Sequence, residues 1–153
     1  MRTTLKVYLD NCVLNRPFDD QSQERIYFET QSFIILLKYI DEGKIKILNS
    51  FVIEYEISKI NNIEREEKIR EYLNAASGFI EFDLKITKRA NELENFGFKG
   101  IDAMHVATAE FADLDYFVTC DDNILKTAVK HKEKLKTNII SLPNLVTEII
   151  KNA

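Results

Sequence analysis

The sequence predicts an α/β fold, a three-layer sandwich with a central parallel sheet of five strands. Three observations predict it. Short apolar segments of strand character recur along the chain, each is followed by a stretch with helical spacing, and strand-then-helix alternation favours parallel pairing with helices on both faces. The 153 residues contain only four glycines and two prolines, with no linker, repeat or low-complexity tract, and the length fits one domain spanning 1–153.

The elements follow in order. Leu5-Lys6-Val7-Tyr8-Leu9 alternates and ends at Asp10-Asn11, reading as a strand that runs into a loop. A helical pattern extends from about Gln21 to Glu42 and is closed by Gly43. Lys44 to Leu48 forms a second strand, and Asn49-Ser50 can cap a helix through Ile60. Another helix is expected from about Glu64 to Ala76, stopped by Gly78, followed by a third strand over Phe79 to Phe82. Asp83 caps a helix running to Phe96 and Gly97 ends it, while Ile101 to Ala112 is apolar nearly all round and reads as a buried helix. Tyr116 to Thr119 is a fourth strand, followed by an acidic turn and a helix from about Asn123 to Lys132. Asn138 to Leu142 completes the sheet, and Pro143 opens a terminal helix at its favoured first position.

Composition narrows the class. Hydrophobic residues make up 45% and charged residues 30%, as in an ordinary globular protein rather than a disordered one. No apolar run approaches the roughly 18 residues a membrane span needs, and no basic-then-apolar leader opens the chain, so a cytoplasmic location is expected. Cys12 and Cys120 lack metal-finger spacing and make no disulfide framework, so reduced, packed thiols are expected even where adjacent strand ends bring them close. The formal net charge of −4 runs against nucleic acid as a partner, unless acids cluster to hold metal ions that restore positive charge.

In an open parallel sheet, ligands bind beyond the carboxyl ends of the strands, where strand order reverses. Asp10 ends the first strand, Asp121 follows the fourth, and Asp102 opens the apolar helix. Two glutamates, Glu54 and Glu56, lie in the helix after the second strand. Helical phase separates them: Val52, Ile53, Ile57 and Ile60 share one arc, Glu56 lies within reach of it, and Glu54 points roughly opposite. Taken singly, each acid has an ordinary reading as a salt-bridge partner, a helix-start acid, a turn residue or a cap. Their joint placement favours a site.

Of the blocks that carry the acids, the two C-terminal ones are the most specific and the Glu56-Ile57 pair the least. Tyr8-Leu9-Asp10-Asn11-Cys12-Val13-Leu14-Asn15, Glu56-Ile57, Ile101-Asp102-Ala103-Met104-His105-Val106-Ala107-Thr108-Ala109 and Val118-Thr119-Cys120-Asp121-Asp122-Asn123-Ile124-Leu125 resemble the PIN domain in order and spacing over essentially the whole chain. The resemblance implies a ribonuclease with strand order 3-2-1-4-5, many of whose relatives are VapC-type toxins of bacterial and archaeal toxin–antitoxin pairs. It carries Asp10, Glu56, Asp102 and Asp121 onto the family's acidic positions as metal-binding and catalytic residues, and Thr119 onto its threonine near the site. Asn11 stands where a small hydroxyl residue is common. Asn123 stands where a further acid is often found, and Asp122 is the substitute the sequence offers. The Asn15-Arg16-Pro17-Phe18-Asp19-Asp20 loop is unlike that of many toxins.

Clustered carboxylates suit Mg²⁺ or Mn²⁺. The expected function is metal-dependent endonucleolytic cleavage of RNA by the toxin of a toxin–antitoxin pair, with an RNA substrate, a small antitoxin protein and a second copy of the chain as partners, and no membrane. Four acids close together should also strain the metal-free protein. His105, one turn beyond Asp102, reads first as a core histidine bonded to a neighbour and second as a general base. Lys126, Lys130, Lys132, Lys134 and Lys136 read first as a solvated face and second as an RNA track. The alternatives are a non-catalytic nucleic-acid-binding module or a phosphoacceptor-like regulatory domain. The latter should show paired acids near the first strand and a lysine after the last, and a HAD-type phosphatase should show an acid where Cys12 stands; none of these is present.

Overall fold

The computed structural model describes residues 4–152. Five parallel strands form one sheet of order β3-β2-β1-β4-β5, with β1 at Leu5–Leu9, β2 at Ile45–Ser50, β3 at Gly78–Ile80, β4 at Tyr116–Thr119 and β5 at Asn138–Ser141. Eight α-helices surround it: α1 Asn11–Asn15, α2 Glu24–Asp41, α3 Phe51–Ile57, α4 Ile63–Leu73, α5 Leu84–Asn95, α6 Gly100–Phe111, α7 Asp122–Lys130 and α8 Leu142–Lys151. The predicted class and strand order are therefore those observed. Val7, Tyr8 and Leu9 of β1 are each no more than 2% exposed, so the central strand is covered on both faces, as a parallel sheet requires. The helices pack in pairs, α2 with α8 and α5 with α6.

Local chemistry explains where the elements stop. Gly43 and Gly97 close α2 and α5 with φ of 77° and 112°, a conformation that glycine adopts without steric cost. Ser50, Asn62, Asp83, Asp121 and Ser141 each cap the helix that follows with a side-chain oxygen on a backbone N–H.

The sequence reading fails in one region and drifts at several ends. Asn11 to Phe18 was expected to be loop, but Asp10 caps α1, and Pro17 then sits in a 3₁₀ turn at Arg16–Phe18. Helix α2 starts at Glu24 rather than near Gln21, because Asp20 accepts from the Ser22 backbone N–H at 3.0 Å and turns the chain first. Helix α3 ends at Ile57 and not Ile60, α4 ends at Leu73 and not Ala76, and Gly78 opens β3 instead of stopping a helix.

The order of the strands puts β1 beside β4, with Leu9 in register with Val118. This is the point where the sheet reverses its winding. The Asp10 N–H continues the ladder by donating to the Val118 carbonyl at 2.9 Å, so the residues just past both strands are held together by backbone bonds.

Candidate active site

Asp10 is buried at 5% exposure, unusual for a carboxylate without a cation. Its Oδ1 accepts the Asn11 N–H at 2.8 Å, and its Oδ2 accepts the Thr119 hydroxyl at 2.7 Å and the Cys12 thiol at 3.4 Å. Thr119 in turn accepts the Asp121 N–H at 3.0 Å. One buried hydroxyl thus ties the end of β1 to the end of β4. Asp121 is fixed as the cap of α7, its Oδ1 accepting from Asn123 at 2.8 Å and Ile124 at 3.2 Å.

Asp102, in the first turn of α6, is different. Its half-buried carboxylate takes no hydrogen bond or ion pair from any described residue. Burial, and then the charges of Asp10 and Asp121, push its pKa up to about 6. A small hollow of about 30 Å³ is lined by Lys99, Asp102, Asp121 and Asn123 among others. Two larger hollows, about 480 and 560 Å³, lie by the opposite end of β1 and β2 and beside α2 and α7, and neither contains these acids.

Glu56 reaches the same place from α3. Its carboxylate pairs with Nε2 of His105, whose Nδ1 meets the Tyr8 hydroxyl at 2.5 Å, and Tyr8 meets the Ser50 hydroxyl at 2.7 Å. One ligand atom from each of Asp10, Glu56 and His105 lies within 4.8 Å of the others. Glu54 faces away, bonded to Arg70 at 2.9 Å and Asn49 at 2.8 Å, and this pairing lowers its pKa against the effect of burial. Asp122 is also committed elsewhere: both oxygens bind the Arg25 guanidinium at 2.8 Å, so the substitute for a fourth aspartate points into an ion pair on α2.

The structure therefore gathers Asp10, Glu56, Asp102 and Asp121 at the β1–β4 switch point. Among the described residues, no lysine or arginine forms an ion pair with any of the four. Oxygen donors with unbalanced charge fit a hard divalent cation. His105 and Tyr8 are fully buried, and sequence reasoning missed the contact between them because 97 positions separate them and no local pattern marks it.

The PIN domain family model matches residues 7–130. The chain belongs to the PIN-domain family. The fold of this PIN domain is also similar to that in the crystal structure of VapBC2 from Rickettsia felis bound to a DNA fragment from their promoter. There the TM-score is 0.52 at 18% identity, covering 90% of this chain and 98% of that one. No curated protein sequence matches this PIN domain.

Around the site, Cys12 and Cys120 are free thiols, and Cys12 Sγ accepts the Cys120 N–H at 3.2 Å. The five lysines from Lys126 to Lys136 are all exposed, with the Lys134 ammonium 5.1 Å from the centre of the Phe96 ring. No helix among the described residues is long and apolar enough to cross a membrane.

Proposed function

We propose that this PIN domain is a Mg²⁺- or Mn²⁺-dependent endoribonuclease, the toxin of a toxin–antitoxin pair, with Asp10, Glu56, Asp102 and Asp121 as its metal-binding and catalytic residues. The observation that carries the reading is the group of carboxylates at the switch point, to which no lysine or arginine among the described residues is ion-paired. Membership of a family of nucleases and a fold shared with VapBC2 support it.

In this reading Asp10 and Asp121 would hold the metal, their carboxylates oriented by Thr119 and by helix caps. Asp102 and Glu56 complete the set or act through water. The bound metal would supply an activated water and neutralise charge on the scissile phosphate. Asp102, with no competing partner, has free lone pairs to accept a proton from that water or to bind the ion. The exposed lysines near α7 provide positive charge to guide the RNA backbone. Such a toxin acts in the cytoplasm, where its substrate is.

Incubation of the purified protein with an RNA panel tests the reading. Cleavage is expected with Mg²⁺ or Mn²⁺, its loss in EDTA, and its return when Mn²⁺ is added in excess. Activity that survives exhaustive chelation contradicts a metal mechanism.

Two further outcomes follow from the placement of side chains. Glu56→Gln should slow cleavage at least about tenfold, ~1.4 kcal/mol in barrier. Glu54→Gln should leave the rate near wild type, because Glu54 is held in a half-exposed pair with Arg70 and by Asn49, away from the other acids. Steady-state kinetics on one RNA substrate compare the two, and the reverse ranking contradicts the assignment. The chain is also expected to form a homodimer. Tyr27, Phe28, Ile34 and Ile35 share one arc of α2 and are 54%, 60%, 52% and 37% exposed, an apolar strip suited to a second copy. Light scattering at tens of micromolar should give twice the monomer mass, and a monomer alone contradicts it.

A further inference from the structure

The four acids do not explain why a histidine and a tyrosine are buried against them. His105 is 0% exposed and lies between Glu56 and Tyr8, with its ring 5.4 Å from the Tyr8 ring in an edge-on arrangement. It could serve the site in two ways: as a nitrogen ligand to a metal, since it shares a 4.8 Å cluster with Asp10 and Glu56, or as a donor that sets the Glu56 carboxylate.

Counting donors and acceptors separates these. Ser50 Oγ already accepts the Ile53 N–H at 3.1 Å as the cap of α3, and Ser50 is fully buried. Its own hydrogen has one recorded acceptor among the described residues, the Tyr8 oxygen at 2.7 Å. Tyr8 must then direct its hydrogen to His105 Nδ1 at 2.5 Å, which makes Nδ1 an acceptor. The ring hydrogen is left on Nε2, facing Glu56. The opposite direction would strand the Ser50 hydrogen in the core whichever protons the ring carries, and in a neutral ring would also set a bare nitrogen against a carboxylate; each is costly.

We infer that His105 and Tyr8 are positioning residues rather than metal ligands: the chain Ser50→Tyr8→His105 fixes the Nε2–H form of the imidazole, which donates to Glu56 and holds that carboxylate beside Asp10. An imidazole that carries its hydrogen on Nε2 and accepts on Nδ1 has no lone pair left for an ion. This is the reverse of the usual arrangement, in which a carboxylate orients a ligating histidine. Here a histidine orients a carboxylate. The inference rests on the metal-dependent reading above and assigns how one member of that site is kept in place.

The test uses Mn²⁺ alone, with no RNA. Mn²⁺ affinity is measured by electron paramagnetic resonance titration, and nitrogen coordination by electron spin-echo modulation, for wild type, Tyr8→Phe, His105→Gln and His105→Leu. Wild type is expected to bind Mn²⁺ with no directly coordinated nitrogen. Tyr8→Phe, which removes only one buried hydroxyl, should weaken binding about tenfold. His105→Leu should weaken it at least as much, and His105→Gln, whose amide can still donate to Glu56, should recover part of the loss. A ¹⁴N signal from a bound histidine overturns the inference. So does wild-type affinity in both Tyr8→Phe and His105→Leu. If wild type itself fails to bind Mn²⁺, the metal-dependent reading falls and takes the inference with it; normal wild-type binding with unaffected variants removes the inference alone.

Discussion

Asp10→Asn should reduce RNA cleavage at least about a thousandfold, ~4 kcal/mol in barrier, while lowering the stability of the metal-free protein slightly. The two effects have different causes. The substitution removes the one acid that is both deeply buried and at the centre of the site, so a metal bound there loses a charged ligand. The amide also cannot accept at both former oxygen positions. Either the Asn11 N–H or the Thr119 hydroxyl, at 2.8 and 2.7 Å from Asp10, loses its acceptor, at a cost of about 1 kcal/mol. Cleavage assays and thermal melts without metal measure the two separately. Full activity contradicts the role of Asp10, and a rise in apo melting temperature contradicts the account of its hydrogen bonds.

The second large effect is expected at Asp102, with the opposite sign for stability. Crowding of four acids predicts strain in the metal-free protein, and the structure puts that strain on a particular side chain. Asp10 and Asp121 are satisfied by hydroxyl, thiol and backbone donors, whereas Asp102 has no such partner among the described residues. Burial and the charges of Asp10 and Asp121 raise its pKa from 3.8 to about 6. A carboxyl whose folded pKa exceeds its unfolded value holds its proton more tightly in the folded state. Its destabilising effect is therefore absent below about 3.8, grows as pH rises through 6, and is complete above that. Because Asp102 is only half-buried, solvent screening reduces the contribution to on the order of 1–2 kcal/mol. Asp102→Asn should raise the apo melting temperature by roughly 3–6 °C at pH 8 and by no more than about 1 °C at pH 4. It should also shrink the stabilisation that Mg²⁺ gives, since the ion loses a ligand. A pH series of melts checks this; a gain that persists undiminished at pH 4 shows that the charge is not its source.

Much of the architecture was legible because it depends on short-range signals. The strand at Leu5–Leu9 alternates, Asp83 caps, and Gly43 and Gly97 end helices, so the order of elements follows from neighbouring residues. Helix α1 escaped because five residues hold too little of a 3.6-residue period to recognise, and because its cap, Asp10, reads equally well as a turn residue after a strand. The acids of the site were legible as positions after strands, and helical phase set Glu56 apart from Glu54. What the sequence withheld were pairings across the fold. Arg25 claims Asp122 from 97 positions away, Thr119 donates to Asp10 across 109 positions, and Tyr8 supports His105 across 97; none has a local spacing rule.

The central claim is that carboxylates at the β1–β4 switch point bind a divalent cation. Calorimetric titration of Mn²⁺ into the metal-free protein and into Asp10→Asn tests it most directly. The predicted result is a saturable binding heat for the unsubstituted protein that is lost or strongly weakened in the variant. Indistinguishable isotherms for the two proteins would contradict it.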